Sequence, residues 1–431
     1  MSENNSDNKK EEFSFLTEKI KDEPVSRKKM LIKIGQTAGL AVVFGFVACL
    51  TFVVAQPKLK NLLSINDKST ISIPKDEEEN TENSTQDVEG NPENPEGLAK
   101  SPDIKKEIDL LDYEKLQKEI YGIGREASKS IVTVTGVKND VDWFNNSYEN
   151  EGQAFGVIIG NNKKEYLILT EKKIIDDVDN ILVSFCNGAL VDASLKKYDG
   201  NTGLAVLGVT MAAVSEDTKS VIKEAVLGNS FRVAQGDTVI AIGSPTGSNS
   251  AISSGSIIFT QNIIMTEDAN YTLFSSNIVG SSEGSGVLIN LSGEIIGVIL
   301  QGYSNHNDQN TINAISVSEI KSIIEDLSNG IDIPYVGLKT KTVSNDIAEK
   351  FNLPVGAFIT SVAIDSPAMN AGIQNGDVIV KVNDTEIITA AGYSKELKKY
   401  RTGDFINITV MRQGTREYKE IVCNVKVGVL L

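Results

Sequence analysis

The sequence predicts an all-β dominated chain, with two successive β-barrels followed by a smaller α+β module and preceded by one transmembrane helix. Three observations lead there. Short apolar, β-branched runs recur at even spacing between turn residues from Ile131 onward, in two sets, the pattern of barrels or sandwiches and not of a parallel α/β sheet. The spacing of glycine-bounded strands changes again after Pro334. Finally, the stretch from Gly35 to Ala55 is free of charge and about the ~20 residues long that a hydrocarbon core requires.

In chain order, residues 1–34 are polar and end in a basic cluster, Arg27, Lys28, Lys29 and Lys33. With those charges on the N-terminal side of the apolar run at 35–55, the positive-inside rule places residues 1–34 in the cytoplasm as a tail and the bulk of the chain outside the cell membrane, as a single-pass protein. A cleaved signal peptide is the alternative, against which stand the long polar lead and the want of a clear Ala-x-Ala exit. Residues 56–103 carry Asp76-Glu77-Glu78-Glu79 and an Asn-Pro-Glu repeat from Asn91 to Glu96, a composition too poor in apolar surface to offset its ordering entropy, so an acidic, disordered, solvated linker is expected.

From Ile104 to Ser128, Ile108, Leu111, Tyr113, Leu116, Ile120 and Ile123 recur near helical spacing, a lead-in helix expected to break near Gly122 and Gly124. It opens a double-barrel unit over 104–330. The first set of strands runs from Ile131 to Val214 and the second from Phe231 to Leu300, and Ser316 to Leu327 reads as an amphipathic helix stopped by Asn329-Gly330. Within the second set, Gly280 to Leu300 has a small-residue turn and two apolar strands joined at Leu291-Ser292-Gly293-Glu294, a β-hairpin.

The 58 acidic against 42 basic residues give a net charge of −16, which excludes nucleic acid as a partner because phosphate binding needs a basic footprint. The residues call for no cofactor and no metal. Cys49, Cys186 and Cys423 show no disulfide framework or zinc spacing and read as free thiols, the last two in strands, and the single histidine, His306, sits in a polar loop.

The order of local motifs over about Ile131 to Val427 resembles the HtrA/Deg family of trypsin-like serine proteases with a C-terminal PDZ domain. Tyr166-Leu167-Ile168-Leu169-Thr170 is similar to the strand leading to that family's general base, and the base position falls on Lys173. Asp199-Gly200-Asn201-Thr202-Gly203-Leu204-Ala205-Val206-Leu207 resembles the segment holding the orienting aspartate, whose position is Gly203. Counted back from Leu288-Ile289-Asn290 without a gap, the nucleophile position is Gly284, with Glu283 beside the loop that would hold an oxyanion; sliding the register by one gives Ser285. A Ser-His-Asp triad needs an imidazole to take and return the serine proton. None of the three positions supplies its part here, so no catalytic residue is expected in the standard places and the resemblance implies a pseudoprotease. The alternative is a serine endopeptidase with a rearranged site, Ser285 or Ser282 with Lys173 as base, which requires a buried lysine.

Residues 331–431 carry Tyr335-Val336-Gly337-Leu338, Ser366-Pro367-Ala368, Gly376-Asp377-Val378-Ile379 and Gly403-Asp404-Phe405-Ile406 in the order of a protease-associated PDZ domain. The resemblance implies that Tyr335, Val336, Gly337 and Leu338 form the loop for a peptide carboxylate, beside a helix near Ala391 to Lys398. The expected fold is thus a trypsin-like double β-barrel plus a PDZ-like α+β domain. The expected function is binding of unfolded or C-terminal peptides in envelope protein quality control, in homo- or hetero-trimers with related proteases.

Overall fold

The computed structural model describes residues 70–77, 109–141, 147–247, 250–301 and 310–430. The apolar run at 35–55, Cys49 and His306 lie outside them, and among the described residues no helix is long and apolar enough to cross a membrane.

Two closed barrels form. The first holds β1 (Ile131–Val141), β2 (Ser147–Asn161), β3 (Glu165–Glu171), β4 (Asn180–Ser184), β5 (Leu190–Tyr198) and β6 (Leu204–Thr210), joined in the order β1-β2-β3-β6-β5-β4. A short helix α2 (Glu216–Val221), which follows the lead-in helix α1 (Leu110–Ala127), connects it to the second. That barrel joins β7 (Thr238–Ser244), β8 (Ala251–Met265), β9 (Asn270–Val279), β10 (Ser285–Ile289), β11 (Ile295–Leu300) and β12 (Thr311–Ser316) in the order β10-β11-β12-β9-β8-β7. These are the two successive barrels that the strand pattern predicts, in the double-barrel form that the resemblance implies.

The apolar runs of β3, β6, β7, β10 and β11 lack polar alternation because both faces of these strands are buried. In β6, Leu204 and Val206 pack in the core shared by the barrels, while Ala205, Leu207 and Val209 fill the interior of the first barrel. Likewise, Val287 and Ile289 of β10 face the shared core and Leu288 the second barrel's own. Period-2 direction thus splits one strand between two cores. Each fully buried Val, Leu or Ile here contributes about 1.5–3 kcal/mol. The predicted hairpin is β10–β11, paired from Ser285 with Leu300 to Ile289 with Ile295, and its turn is fastened by Asn290, whose side-chain amide donates to Glu294 Oε2 at 2.8 Å.

Three expectations change. The lead-in helix runs unbroken through Gly122 and Gly124 to Ala127. A Cβ at Gly124 would stand 2.6 Å from Ile252 Cγ2 and 3.3 Å from Ile240 Cγ2, so this glycine admits the helix close against β7 and β8, and packing overrides its low helix propensity. Cys186 lies in the turn after β4 and is exposed, whereas Cys423 is in β18 (Tyr418–Lys426), where burial pushes its thiol above the ordinary range.

Residues 70–77, placed by the sequence in the solvated linker, instead dock on α3 (Val317–Ser328). Ile73 enters the shared core, Ile71 exchanges two 2.9 Å bonds between its backbone and the Asn329 side chain, and Asp76 meets Lys321 Nζ at 2.8 Å. One or two well-placed isoleucines and one carboxylate suffice to fix a segment whose average composition forbids a core of its own.

The C-terminal unit carries β13 (Leu338–Val343), α4 (Asn345–Phe351), β14 (Gly356–Val362), α5 (Pro367–Asn370), β15 (Val378–Val382), β16 (Thr385–Glu386), α6 (Ala390–Leu397), β17 (Phe405–Gln413) and β18. Its sheet runs β13-β14-β15-β17-β18, with β16 on β15, so β13 is an edge strand. Buried Asp377 is gripped by Arg412 through two 2.7 Å bonds and accepts from the Gln374 amide, which fixes the turn ahead of β15.

Candidate functional site

Two places could carry function: the cleft where a protease would hold its triad, and the groove where a PDZ domain would hold a peptide.

In the cleft, β3 ends just past Thr170, whose hydroxyl donates to Phe155 O at 2.7 Å, and a single helical turn, Lys172–Ile174, follows. The Lys172 amide donates to Gly203 O at 2.7 Å, so the base-position and acid-position turns are held together. Lys173 has a half-exposed ammonium paired with Glu171 at 2.9 Å, in place of the buried lysine that a Ser-Lys site needs. Gly203 has φ +71° and no side chain, and the nearest carboxylate in its turn, Asp199, is consumed by the Thr202 hydroxyl at 2.7 Å and the Asn201 and Thr202 amides at 3.1 Å.

The nucleophile loop is folded in on itself. Gly284 N–H donates to Ser281 O at 2.8 Å, and Ser281 N–H to Pro245 O at 3.1 Å. The Gly284 amide, at the position that the resemblance gives to the nucleophile, is therefore engaged within the turn. A Cβ on Gly284 would lie 2.3 Å from Pro245 O and 2.8 Å from Ser281 O. Ser285, the shifted alternative, is 3% exposed inside β10, registered between Ser244 and Leu300.

Glu171 is not singled out by its sequence position, yet it is the most unusual group here. It is buried, its Oε1 has no hydrogen-bond partner, and its carboxyl lies above the ordinary range because of burial first, with the Glu283 carboxylate adding and Lys173 opposing. A raised acid binds its proton more tightly in the folded state, so its contribution to stability is present below the ordinary carboxylate pKa and is lost as pH rises through the raised value. Glu171→Gln is accordingly expected to stabilise the protein at neutral pH by about 1 kcal/mol and to make little difference near pH ~4. Thermal unfolding at the two pH values checks this, a variant less stable than the parent at neutral pH being the contrary result.

In the groove, Gly337 adopts φ +92°, and a Cβ there would meet Ser366 Cβ at 2.4 Å, which leaves only glycine for this turn. The loop is fixed from behind: Ala363 N–H donates to Gly337 O at 2.9 Å, Ala368 N–H to Val336 O at 3.0 Å, and Tyr335 exchanges backbone bonds with Gly428. Three successive amides consequently point the same way, and all three are occupied. The Asp268 carboxylate, from the β8–β9 turn, accepts from Val336 N–H at 2.6 Å, Gly337 N–H at 2.7 Å and Leu338 N–H at 3.1 Å. Tyr393 of α6, wholly buried, adds its hydroxyl at 2.7 Å. Burial pushes the Asp268 carboxyl up while these donors pull it down, and Tyr393 is held well above its ordinary range by burial and the adjoining carboxylate. Neither Asp268 nor Tyr393 carries a local sequence signal for this role, since they meet each other across a separation of 125 residues.

Among the described residues no group of three or more His, Cys, Asp or Glu could hold a metal ion.

Residues 154–298 match the trypsin-like peptidase domain family and residues 334–422 the PDZ domain family. The serine protease Do-like HtrA of Lactobacillus helveticus is 29% identical over 287 residues, 63% of this chain and 68% of that one. Its namesake in Bacillus subtilis is 29% identical over 347 residues, 75% and 73% of the two chains. The probable periplasmic serine endoprotease DegP-like of Pseudomonas fluorescens is 30% identical over 263 residues, 59% of this chain and 53% of that one, so the chain spans about half the length of this relative. Among solved structures, the HtrA-type protease AlgW with decapeptide is similar in fold, with a TM-score of 0.53 at 21% identity over 72% of this chain and 99% of that one. With the peptidase-like barrels and the PDZ sheet matched in turn around the two sites above, the chain belongs to the HtrA/DegP-like family.

Proposed function

We propose that this HtrA-like protein is a pseudoprotease, anchored in the cell membrane by one span at 35–55, that captures unfolded or C-terminal peptides through its PDZ domain in envelope protein quality control. The observation that carries the reading is the nucleophile position: Gly284 has no attacking atom, no room for one beside Pro245 O, and its amide engaged on Ser281 O. Around it, a lysine and a glycine stand where base and orienting acid would be, and the sequence has no histidine before His306. The proposed layout is a cytoplasmic tail at 1–34, a linker at 56–103 whose residues 70–77 dock on the barrels, the double barrel with its lead-in helix at 104–330 and the PDZ domain at 331–431. Leu110, Leu111, Tyr113 and Leu116 are apolar and exposed around the first turns of α1, which supports assembly with copies or with related proteases as trimers.

The peptidase reading makes the opposite prediction on one experiment. Incubated with unfolded casein and a fluorophosphonate probe, the full chain is expected to bind casein, leave it intact and remain unlabelled. Covalent labelling that disappears in Ser285→Ala would overturn the pseudoprotease reading.

A further inference from the structure

We infer that the β8–β9 turn, Thr266 to Ala269, is an internal ligand of the PDZ groove, with the Asp268 carboxylate standing where a peptide's terminal carboxylate would lie. The inference rests on the proposed peptide-capture reading and adds to it that the groove is closed in cis.

The mimicry extends beyond the carboxylate. A peptide bound by strand addition would place its carboxylate on the loop amides and pair its backbone with the free edge of the first strand. Here Asp268 N–H donates to Leu338 O at 2.7 Å on that edge, and further along the Asn270 side-chain amide donates to Thr340 O at 3.0 Å. Glu267 and Lys339 form an ion pair at 3.4 Å across the same seam. On the other wall, Tyr393 of α6 closes over the carboxylate. Asp268 reaches this position from a left-handed backbone, φ +63°, at a turn tightened by Thr266, whose amide and hydroxyl both donate to Ala269 O at 2.9 Å. An aspartate side chain presents two oxygens on a short stem, which is the chemistry of a chain terminus, and the turn delivers it end-on.

Because the ligand is covalently part of the second barrel, it competes at an effective concentration of order millimolar, and an external peptide sees its affinity reduced by the fraction of time that the groove is open. The occupant that displaces it is a free C-terminal carboxylate with an extended apolar tail; an amidated end loses the contact to the loop amides.

The test uses the full chain in detergent micelles and fluorescence anisotropy with a labelled decapeptide ending in two leucines, as free acid and as amide. Asp268→Ala is expected to bind the free acid at least tenfold more tightly than the parent, with no gain for the amide. Lys339→Glu, at a half-exposed position, loosens the turn without touching the carboxylate or its donors and is expected to gain about threefold, which keeps the test alive should Asp268→Ala unfold. Equal, measurable affinity of parent and both variants for the free acid would overturn the internal ligand while leaving peptide capture intact. Binding by none of the three, with folding verified by circular dichroism, would sink the capture reading and the gating with it.

Discussion

Asp76→Ala is expected to lower stability by about 3–5 kcal/mol, the cost of removing one partner from a buried ion pair and stranding the other. The stranded group is Lys321, whose side chain is 4% exposed and whose ammonium meets Asp76 Oδ2 at 2.8 Å. Ser318 donates to the same oxygen and offers Lys321 no charge in return. The ammonium is then left desolvated without a counter-charge. Asp76→Asn keeps the shape and a partner for Ser318 while removing the charge, so a loss comparable with that of Asp76→Ala assigns the effect to the cation, and a loss under about 1 kcal/mol would mean that Lys321 reaches solvent. Chemical denaturation of the full chain measures both. The hold on the segment at 70–77 would weaken as well, since it then falls to Ile73, the Ile71–Asn329 pair and the Lys75–Glu325 ion pair.

Rebuilding the triad at its family positions, Lys173→His with Gly203→Asp and Gly284→Ser, is expected to yield no casein hydrolysis, although a working triad contributes about a millionfold to turnover. Gly203 is the permissive site: open space surrounds the place of its Cβ, and aspartate tolerates a left-handed φ. Gly284 is the obstacle. Its Cβ at 2.3 Å from Pro245 O cannot be accommodated by a rotamer change, because the obstructing atom is backbone. Gly284→Ser alone is accordingly expected to cost about 1–3 kcal/mol by overpacking, and the amide that should face an oxyanion would stay on Ser281 O. Hydrolysis by the triple variant that vanishes once position 284 is returned to glycine would show instead that the loop reopens readily.

Much of the architecture is legible in local pattern. The hairpin from Gly280 to Leu300 announces itself by alternation and a Ser-Gly turn, and Gly337 by a loop that no other residue can make. The paired strands of that hairpin keep a fixed register because both of its faces are buried. What escapes is non-local. The unbroken course of α1 past Gly124 depends on Ile240 and Ile252, more than a hundred residues away in sequence. The docking of Asp76 depends on Lys321, and the role of Asp268 on a loop in another domain. Even within the cleft, Glu171 reads in the sequence as one of three charged residues in a solvated loop, whereas it ends a strand whose last residue still pairs with Leu204 and is drawn inward. Charge type is visible in a sequence; which side of a barrel wall a charge ends on is decided by partners elsewhere.

The position of β13 at the rim of its sheet has a wider meaning for solubility. A rim strand offers unpaired amides and carbonyls to any extended chain, including another copy of itself. The Thr266 to Ala269 turn shields the Leu338 carbonyl and the amides beside it as a gatekeeper would. Whenever that shield lifts, for a peptide or by mutation, the protein trades concealment for adhesiveness, so that self-association should accompany an emptied groove and recede once cargo fills it.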